Sequence, residues 1–153
     1  METTTLPARK VLVLGCGLSG LAMARWCARL GDRVTVADTR DAPPQLEDLK
    51  TAVPDVRFIA GEFSADLLAD NELVLRSPGL SPAQIAPVAA ATSERGIPLR
   101  GELSLFGAGL AALKAEQGYK PAVLAVTGTN GKTTVTALTA VSGWPGRSGT
   151  AAS

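Results

Sequence analysis

The chain has no histidine, so any mechanism that needs an imidazole must find one elsewhere. Its two cysteines, Cys16 and Cys27, have neither metal nor redox spacing, and a reduced, cytosolic chain is the simplest account of them. Aromatic residues make up only 4%, which argues against platforms that stack nucleic-acid bases. Charge of one sign is also lacking. Fifteen basic residues face fourteen acidic ones, a net charge of +1, so neither a polyanion nor an anionic membrane surface is an expected partner. No apolar run approaches the roughly 20 residues of a membrane span, and the N-terminus carries no signal-peptide pattern.

What is present is ordinary globular material: 153 residues, 46% hydrophobic and 19% charged, near the length of one domain. Two glycine-rich loops stand out, each directly after an apolar run. The later one follows residues 122–126, which read as a buried strand. Thr127, Gly128, Thr129, Asn130, Gly131, Lys132, Thr133 and Thr134 then lead into a helix over about residues 135–140. Strand, glycine loop, Lys-Thr and helix form a phosphate cradle. Backbone N–H groups and the positive end of the helix converge on an anion, Lys132 reaches the β- and γ-phosphates, and the Thr133 hydroxyl ligates Mg²⁺. The full nucleotide-binding pattern wants glycine five residues before Gly131, where this chain has Val126, so the loop is a shortened form. A plain turn with a solvated lysine is the bland alternative.

The earlier loop follows the strand at residues 11–14. Gly15, Gly17 and Gly20 make G-x-G-x-x-G. A helix follows, with Met23, Trp26, Cys27 and Leu30 as its apolar stripe. A second strand, residues 34–37, ends at Asp38, 18 positions past Gly20. In this βαβ setting Gly15 permits a tight turn, Gly17 lets a diphosphate approach the backbone, and Gly20 allows close helix–strand packing. Binding of NAD is the natural first reading, with Asp38 on the ribose, and a structural βα turn is its alternative.

Further strands are expected at residues 56–59, 72–75 and 97–100, the last an edge strand because of Pro98. Helices are expected at 46–51, at 64–68 with Ser64 as N-cap, and at 83–94 closed by Gly96. Ser77, Pro78 and Gly79 form a turn at a strand's carboxyl end, where open α/β sheets bind ligands. Residues 102–113 look helical but interrupted by Gly107 and Gly109. The expected fold is α/β: a Rossmann-like, mainly parallel sheet with helices on both faces, followed by the start of a P-loop ATPase-type domain. The expected layout is a leader over 1–8, a nucleotide domain over 9–113, a connector over 114–121, the opening of the ATP-binding domain over 122–140 and an atypical, disordered tail over 141–153.

With its two phosphate-type loops, the chain resembles the Mur ligases of peptidoglycan synthesis. Gly15-Cys-Gly-Leu-Ser-Gly20, Asp38-Thr39-Arg40, Ser77-Pro78-Gly79 and the loop from Val126 to Thr134 carry the resemblance, and the first two favour the D-glutamate-adding member. The resemblance implies that the first domain holds a UDP-sugar, not NAD. Gly15, Gly17, Leu18, Ser19 and Gly20 would then lie along the diphosphate. Asp38, Thr39 and Arg40 would hold the uridine end, with Ser77 and Gly79 lining the same cleft. It also implies ATP on Gly128, Thr129, Asn130, Gly131, Lys132, Thr133 and Thr134. Lys132 and Thr133 would be catalytic, with Mg²⁺ on Thr133 and its other ligands outside these residues. The implied substrates are UDP-N-acetylmuramoyl-L-alanine and D-glutamate, joined through an acyl phosphate. A cytoplasmic monomer is expected, and the 153 residues alone are expected to be inactive. An NAD(P)-binding module and a non-catalytic nucleotide-binding fragment remain as alternatives.

Overall fold

The computed structural model describes residues 8–141. The leader falls outside these residues except for Ala8, and the tail falls outside except for Val141. The chain divides into two compact units, one up to Ala111 and one from Ala112 onward.

The first unit is built on five strands: β1 (Lys10–Leu14), β2 (Arg33–Asp38), β3 (Arg57–Ala60), β4 (Leu73–Arg76) and β5 (Leu99–Gly101). All pair in parallel, in the order β3-β2-β1-β4-β5, so β1 lies at the centre and β5 at an edge, as Pro98 demands. Between them run α1 (Leu18–Arg29), α2 (Leu46–Ala52), a 3₁₀ turn (Ala65–Leu68) and α3 (Pro82–Arg95). The alternating chain pattern is the reason for a parallel sheet, since each parallel return needs a crossover.

The run Val11-Leu-Val-Leu14 is apolar throughout because both faces of β1 are covered. Val11 and Val13 point into a core with Val34, Val36, Leu73 and Leu75, closed by Met23, Ala24 and Cys27 of α1 and Leu49 of α2. Leu12 and Leu14 point the other way, to Ala37, Val74, Phe63, Leu68 and, from α3, Ile85, Val88 and Ala91. Period-two alternation thus divides one strand between two cores. Burial of Cys27, with Asp32 nearby, raises its thiol pKa to about 11, so it is packing material at neutral pH.

Several helical expectations need correction. The buried stripe of α1 is Gly20, Met23, Ala24 and Cys27, while Leu30 is exposed and Trp26 lies at the margin. Small residues face the sheet because they allow close approach. Ser64 precedes the 3₁₀ turn without a side-chain cap. A cap that the sequence reading missed opens α3: Ser81 accepts from the Gln84 N–H at 3.3 Å, and the Gln84 side chain accepts from the Ser81 N–H at 2.9 Å.

The helix α4 (Glu102–Gln117) is continuous through Gly107 and Gly109, and it runs on through the first residues of the expected connector. A Cβ on Gly109 would sit 3.0 Å from the Trp26 ring, so this glycine makes room for an aromatic neighbour and does not break the helix.

The second unit contains the end of α4, an irregular stretch and α5 (Lys132–Val141). Residues 122–126, expected as a strand, form none: Val123 and Leu124 remain exposed, and no neighbouring strand pairs with them among the described residues. A strand needs a partner for its N–H and C=O groups, however apolar its side chains. Its helix does form, three residues earlier than expected. No helix among the described residues is long and apolar enough to cross a membrane.

Candidate functional site

The strand order turns at β1, with β2 on one side and β4 on the other. Open parallel sheets bind ligands beyond the carboxyl ends of strands at such a point. Three of the sequence-predicted segments meet there: the glycine loop after β1, Asp38 at the end of β2, and Ser77 after β4.

Gly15 has φ +91°, a conformation that side chains resist, and its N–H donates to the Ala37 carbonyl at 2.7 Å. From the other side the Ser77 N–H donates to the Leu14 carbonyl at 2.9 Å, and the Ser77 hydroxyl donates to the Gly15 carbonyl at 3.2 Å. Ser77 is buried, and its hydroxyl supports the glycine loop through the Gly15 carbonyl. Gly20 closes the turn. A Cβ there would lie 1.9 Å from the Gly15 carbonyl oxygen, which is backbone and cannot swing aside.

Gly17 is the N-cap of α1 in extended conformation, with no side-chain cap and no acidic residue in the first turn. The Leu21 N–H returns to the Gly17 carbonyl at 2.9 Å, the bond with which the helix begins. The amides of Leu18, Ser19 and Gly20 therefore belong to the open N-terminal turn, where the helix dipole adds positive potential. Leu18 is 75% exposed, an apolar side chain held at the cleft's lip. Thr39, Arg40 and Gly79 are exposed around the same end of the sheet.

Asp38 is 2% exposed, and its carboxylate is fully engaged. Oδ2 accepts from the Cys16 N–H at 2.7 Å and from Arg40 Nη2 at 2.8 Å. Oδ1 accepts from the Arg40 N–H at 3.0 Å and from Arg40 Nε at 2.8 Å. Burial pushes this acid upward, but the Arg40 guanidinium and the two backbone N–H donors together hold it below its ordinary 3.8. The sign follows. A depressed folded value means stability that is complete above the unfolded pKa and lost as pH falls through the folded one. Urea melts between pH 6 and pH 3 are expected to show an acid loss of stability that is shallower in Asp38→Asn.

The second loop lies in the second unit. Gly128 (φ +150°) and Gly131 (φ +76°) set its path, and the Val135 N–H returns to the Gly131 carbonyl at 2.9 Å as α5 begins. Lys132 Nζ donates to the Gly128 carbonyl, so the ammonium curls over its own loop. Thr129, Asn130, Thr133 and Thr134 are exposed along it. Glycine-directed amides, a helix start and a lysine above them fit a phosphate group. A magnesium site is another matter: Thr133 offers one hydroxyl, and the described residues hold no group of three or more acidic, histidine or cysteine side chains able to hold a metal.

Residues 9–101 match the family described as Mur ligase MurD-like, N-terminal domain. The chain belongs to this family. The chain is also 60% identical, over 136 residues, to the UDP-N-acetylmuramoylalanine–D-glutamate ligase of Albidiferax ferrireducens, a match covering 88% of this chain and 27% of that protein. Among solved structures it is similar to a pseudomurein peptide ligase type C from Methanothermus fervidus, with TM-score 0.51 and 25% identity over 82% of this chain and 24% of the other. The murein peptide ligase mpl from Psychrobacter arcticus has the same fold, with TM-score 0.55 and 24% identity over 87% and 26% of the two chains. The chain thus spans about a quarter of the length of the relatives it matches.

Within the MurD-like domain, the structure gathers Gly15, Gly17, Leu18, Ser19, Gly20, Asp38, Arg40 and Ser77 at one end of the sheet. The sequence reading missed the Cys16 amide, which ties the glycine loop to Asp38 at 2.7 Å. A backbone donor has no side-chain signature, so nothing in the residue type could have announced it. A groove lies at the amino ends of the strands, where Lys10 and Asp70 pair at 2.8 Å and Asp32 pairs with Arg9 at 2.7 Å. That end is not the ligand end of such a sheet.

Proposed function

We propose that the cleft beyond β1, β2 and β4 holds the nucleotide end of UDP-N-acetylmuramoyl-L-alanine, in a cytoplasmic ligase that adds D-glutamate to it. The observation that carries this reading is the open amide turn of α1 at the sheet's turning point, in a chain 60% identical to a ligase of that name. The amides of Leu18, Ser19 and Gly20 would face the diphosphate, where the helix dipole favours negative charge. Thr39 and Arg40 would hold the uridine end, with Leu18 and Gly79 along its walls.

The reaction proposed has two steps. The terminal carboxylate of the L-alanine attacks the γ-phosphorus of ATP, giving an acyl phosphate and ADP. The amine of D-glutamate then attacks the acyl carbon and displaces phosphate, forming the amide. Lys132 would neutralise charge spreading over the γ-phosphoryl oxygens, with Gly128 to Thr134 wrapping the phosphates. The relatives' match supports this assignment, since a stretch covering 88% of the chain cannot avoid residues 127–134. We assign no step to Mg²⁺, because the described residues do not complete a site for it.

The NAD reading is disfavoured by Asp38. A dinucleotide site uses that carboxylate to accept from ribose hydroxyls, and here both of its oxygens are already engaged. Thermal unfolding in the presence of each ligand tests the choice. UDP-N-acetylmuramoyl-L-alanine at 100 times its Kd is expected to stabilise the folded unit by about 2.7 kcal/mol, and NAD to leave it unchanged. Stabilisation by NAD alone would reverse the assignment. For the second loop, Lys132→Ala is expected to weaken ATP binding roughly tenfold, the loss of one charge-assisted hydrogen bond, as measured by calorimetry.

A further inference from the structure

We propose that Arg76 binds the sugar-side phosphate of the nucleotide, from the wall of the cleft that faces the amides of α1. This deepens the reading of the cleft as a uridine-diphosphate site and rests on it.

The neighbouring strands β1 and β4 send their following segments to opposite faces of the sheet. Met23, Ala24 and Cys27 of α1 pack on one face, and Ile85, Val88 and Ala91 of α3 pack on the other. The crevice between two such departing segments is the ligand position of an open parallel sheet. One wall is the N-terminal turn of α1. The other is made by the end of β4, the turn over residues 77–81 and the start of α3 at Pro82.

Arg76 ends β4 on that second wall. Alternation puts its side chain on the α3 face, in line with Val74 and with Leu14 directly opposite on β1, both fully buried. An apolar side chain would suit that place, yet the chain has a guanidinium there. It is half-buried and, among the described residues, has neither a hydrogen-bond partner nor a carboxylate in ion-pair reach. Gly101 faces it from β5, and a Cβ there would meet nothing within 4 Å, so the space beside Arg76 is open. Glu102 follows Gly101 but makes no ion pair with it. The first turn of α3 has no acidic residue, so the positive end of that helix adds to the same potential. A cation partly withdrawn from water without a partner costs free energy, and an anion in the crevice offsets that cost. A local rule broken without structural compensation is the mark of a functional position.

The strand order says which anion. With the uridine end beyond β2 and the diphosphate beyond β1, the next strand along the ligand is β4. Of the two phosphates, the one that carries the sugar therefore lies nearer Arg76, and the other falls to the α1 amides. A planar guanidinium can meet two oxygens of one phosphate at once.

Calorimetry of the full 153-residue chain with uridine diphosphate and uridine monophosphate reads the assignment, because the second probe lacks the sugar-side phosphate. Arg76→Ala is expected to weaken the diphosphate on the order of tenfold, the loss of a charge-assisted contact, and the monophosphate by less than about twofold. Equal losses for the two probes, or none for the diphosphate, would overturn the inference alone. Arg76→Leu separates binding from folding. It sets an apolar side chain at a core-facing position, and its denaturation midpoint is expected to hold or rise while diphosphate affinity falls as far as in Arg76→Ala. A lowered midpoint with affinity retained would make Arg76 a structural residue. Phosphorus resonances of the bound diphosphate add a local readout. The β-phosphorus is expected to shift between wild type and Arg76→Lys, which keeps the charge but not the planar group, while the α-phosphorus stays. Movement of the α-phosphorus alone would contradict the assignment. If a folded wild-type chain bound neither probe, the reading of the cleft would fail and take this inference with it. That result is distinct from wild-type diphosphate affinity in Arg76→Ala.

Discussion

Gly20→Ala is expected to be the most damaging single-methyl change in the first unit. The added Cβ would meet the Gly15 carbonyl oxygen at 1.9 Å, far inside any permitted approach. Either α1 must retreat from β1 or the Gly15 turn must open. That turn is held by bonds from Gly15 to Ala37, from Cys16 to Asp38 and from Ser77 to Gly15. Overpacking of this kind costs roughly 1–3 kcal/mol, and here the obstacle is backbone, so about 3 kcal/mol is expected. The control lies in the same motif. Gly17 has an ordinary φ of −98°, and a Cβ added there would meet no atom within 4 Å, so Gly17→Ala is expected to change stability by less than about 0.5 kcal/mol. Chemical denaturation of the two variants side by side checks the contrast. Equal stabilities would mean that the close approach at Gly20 does not exist in solution.

Leu14→Ala is the second large effect expected. Leu14 is fully buried at the end of β1, in the core that Val74, Leu68, Ile85 and Val88 complete. Truncating a leucine in such a place typically costs about 2–5 kcal/mol, the lost transfer energy plus that of the cavity left behind. Its carbonyl also receives the Ser77 N–H, so the void would open directly beneath the site. The expected loss of about 3 kcal/mol is a large share of the roughly 5–15 kcal/mol that holds a domain together. Leu103→Ala in α4 makes the comparison, since Leu103 is 84% exposed and its truncation is expected to stay within about 0.5 kcal/mol. Thermal melts of both variants would separate core from surface.

These contrasts show what the sequence makes legible. The continuous apolar run of β1 announces a strand covered on both faces, and the G-x-G-x-x-G spacing announces the turn that follows it. Both rest on local patterns, and both are found in the fold. The apolar stripe of α1 is less legible. Trp26 and Leu30 look like core residues by type, yet Gly20 and Ala24 face the sheet, because closeness there matters more than bulk. Gly109 looks like a helix break, but α4 runs through it, with the Trp26 ring where a side chain would be. The strand expected at residues 122–126 fails for a different reason: apolar character proposes a strand, but only a neighbouring strand can pair it.

The site divides in the same way. Spacing locates Asp38, because an acidic residue after the second strand is part of the pattern. It does not reveal the partners of Asp38. The Cys16 N–H is backbone, and Arg40 is two residues away in a turn whose path spacing does not encode. The consequence is chemical. Spacing alone suggests a carboxylate waiting for a ribose, whereas the structure gives a carboxylate already bonded to Arg40 and to the Cys16 N–H.

Amide chemical-shift mapping of the folded 153-residue chain during titration with UDP-N-acetylmuramoyl-L-alanine tests the central claim most directly. Saturable shifts at Gly17, Leu18, Ser19, Gly20, Thr39 and Arg40, with little response to NAD at equal concentration, are the predicted result. Resonances of those residues that stay still for the UDP-sugar and move for NAD would contradict it.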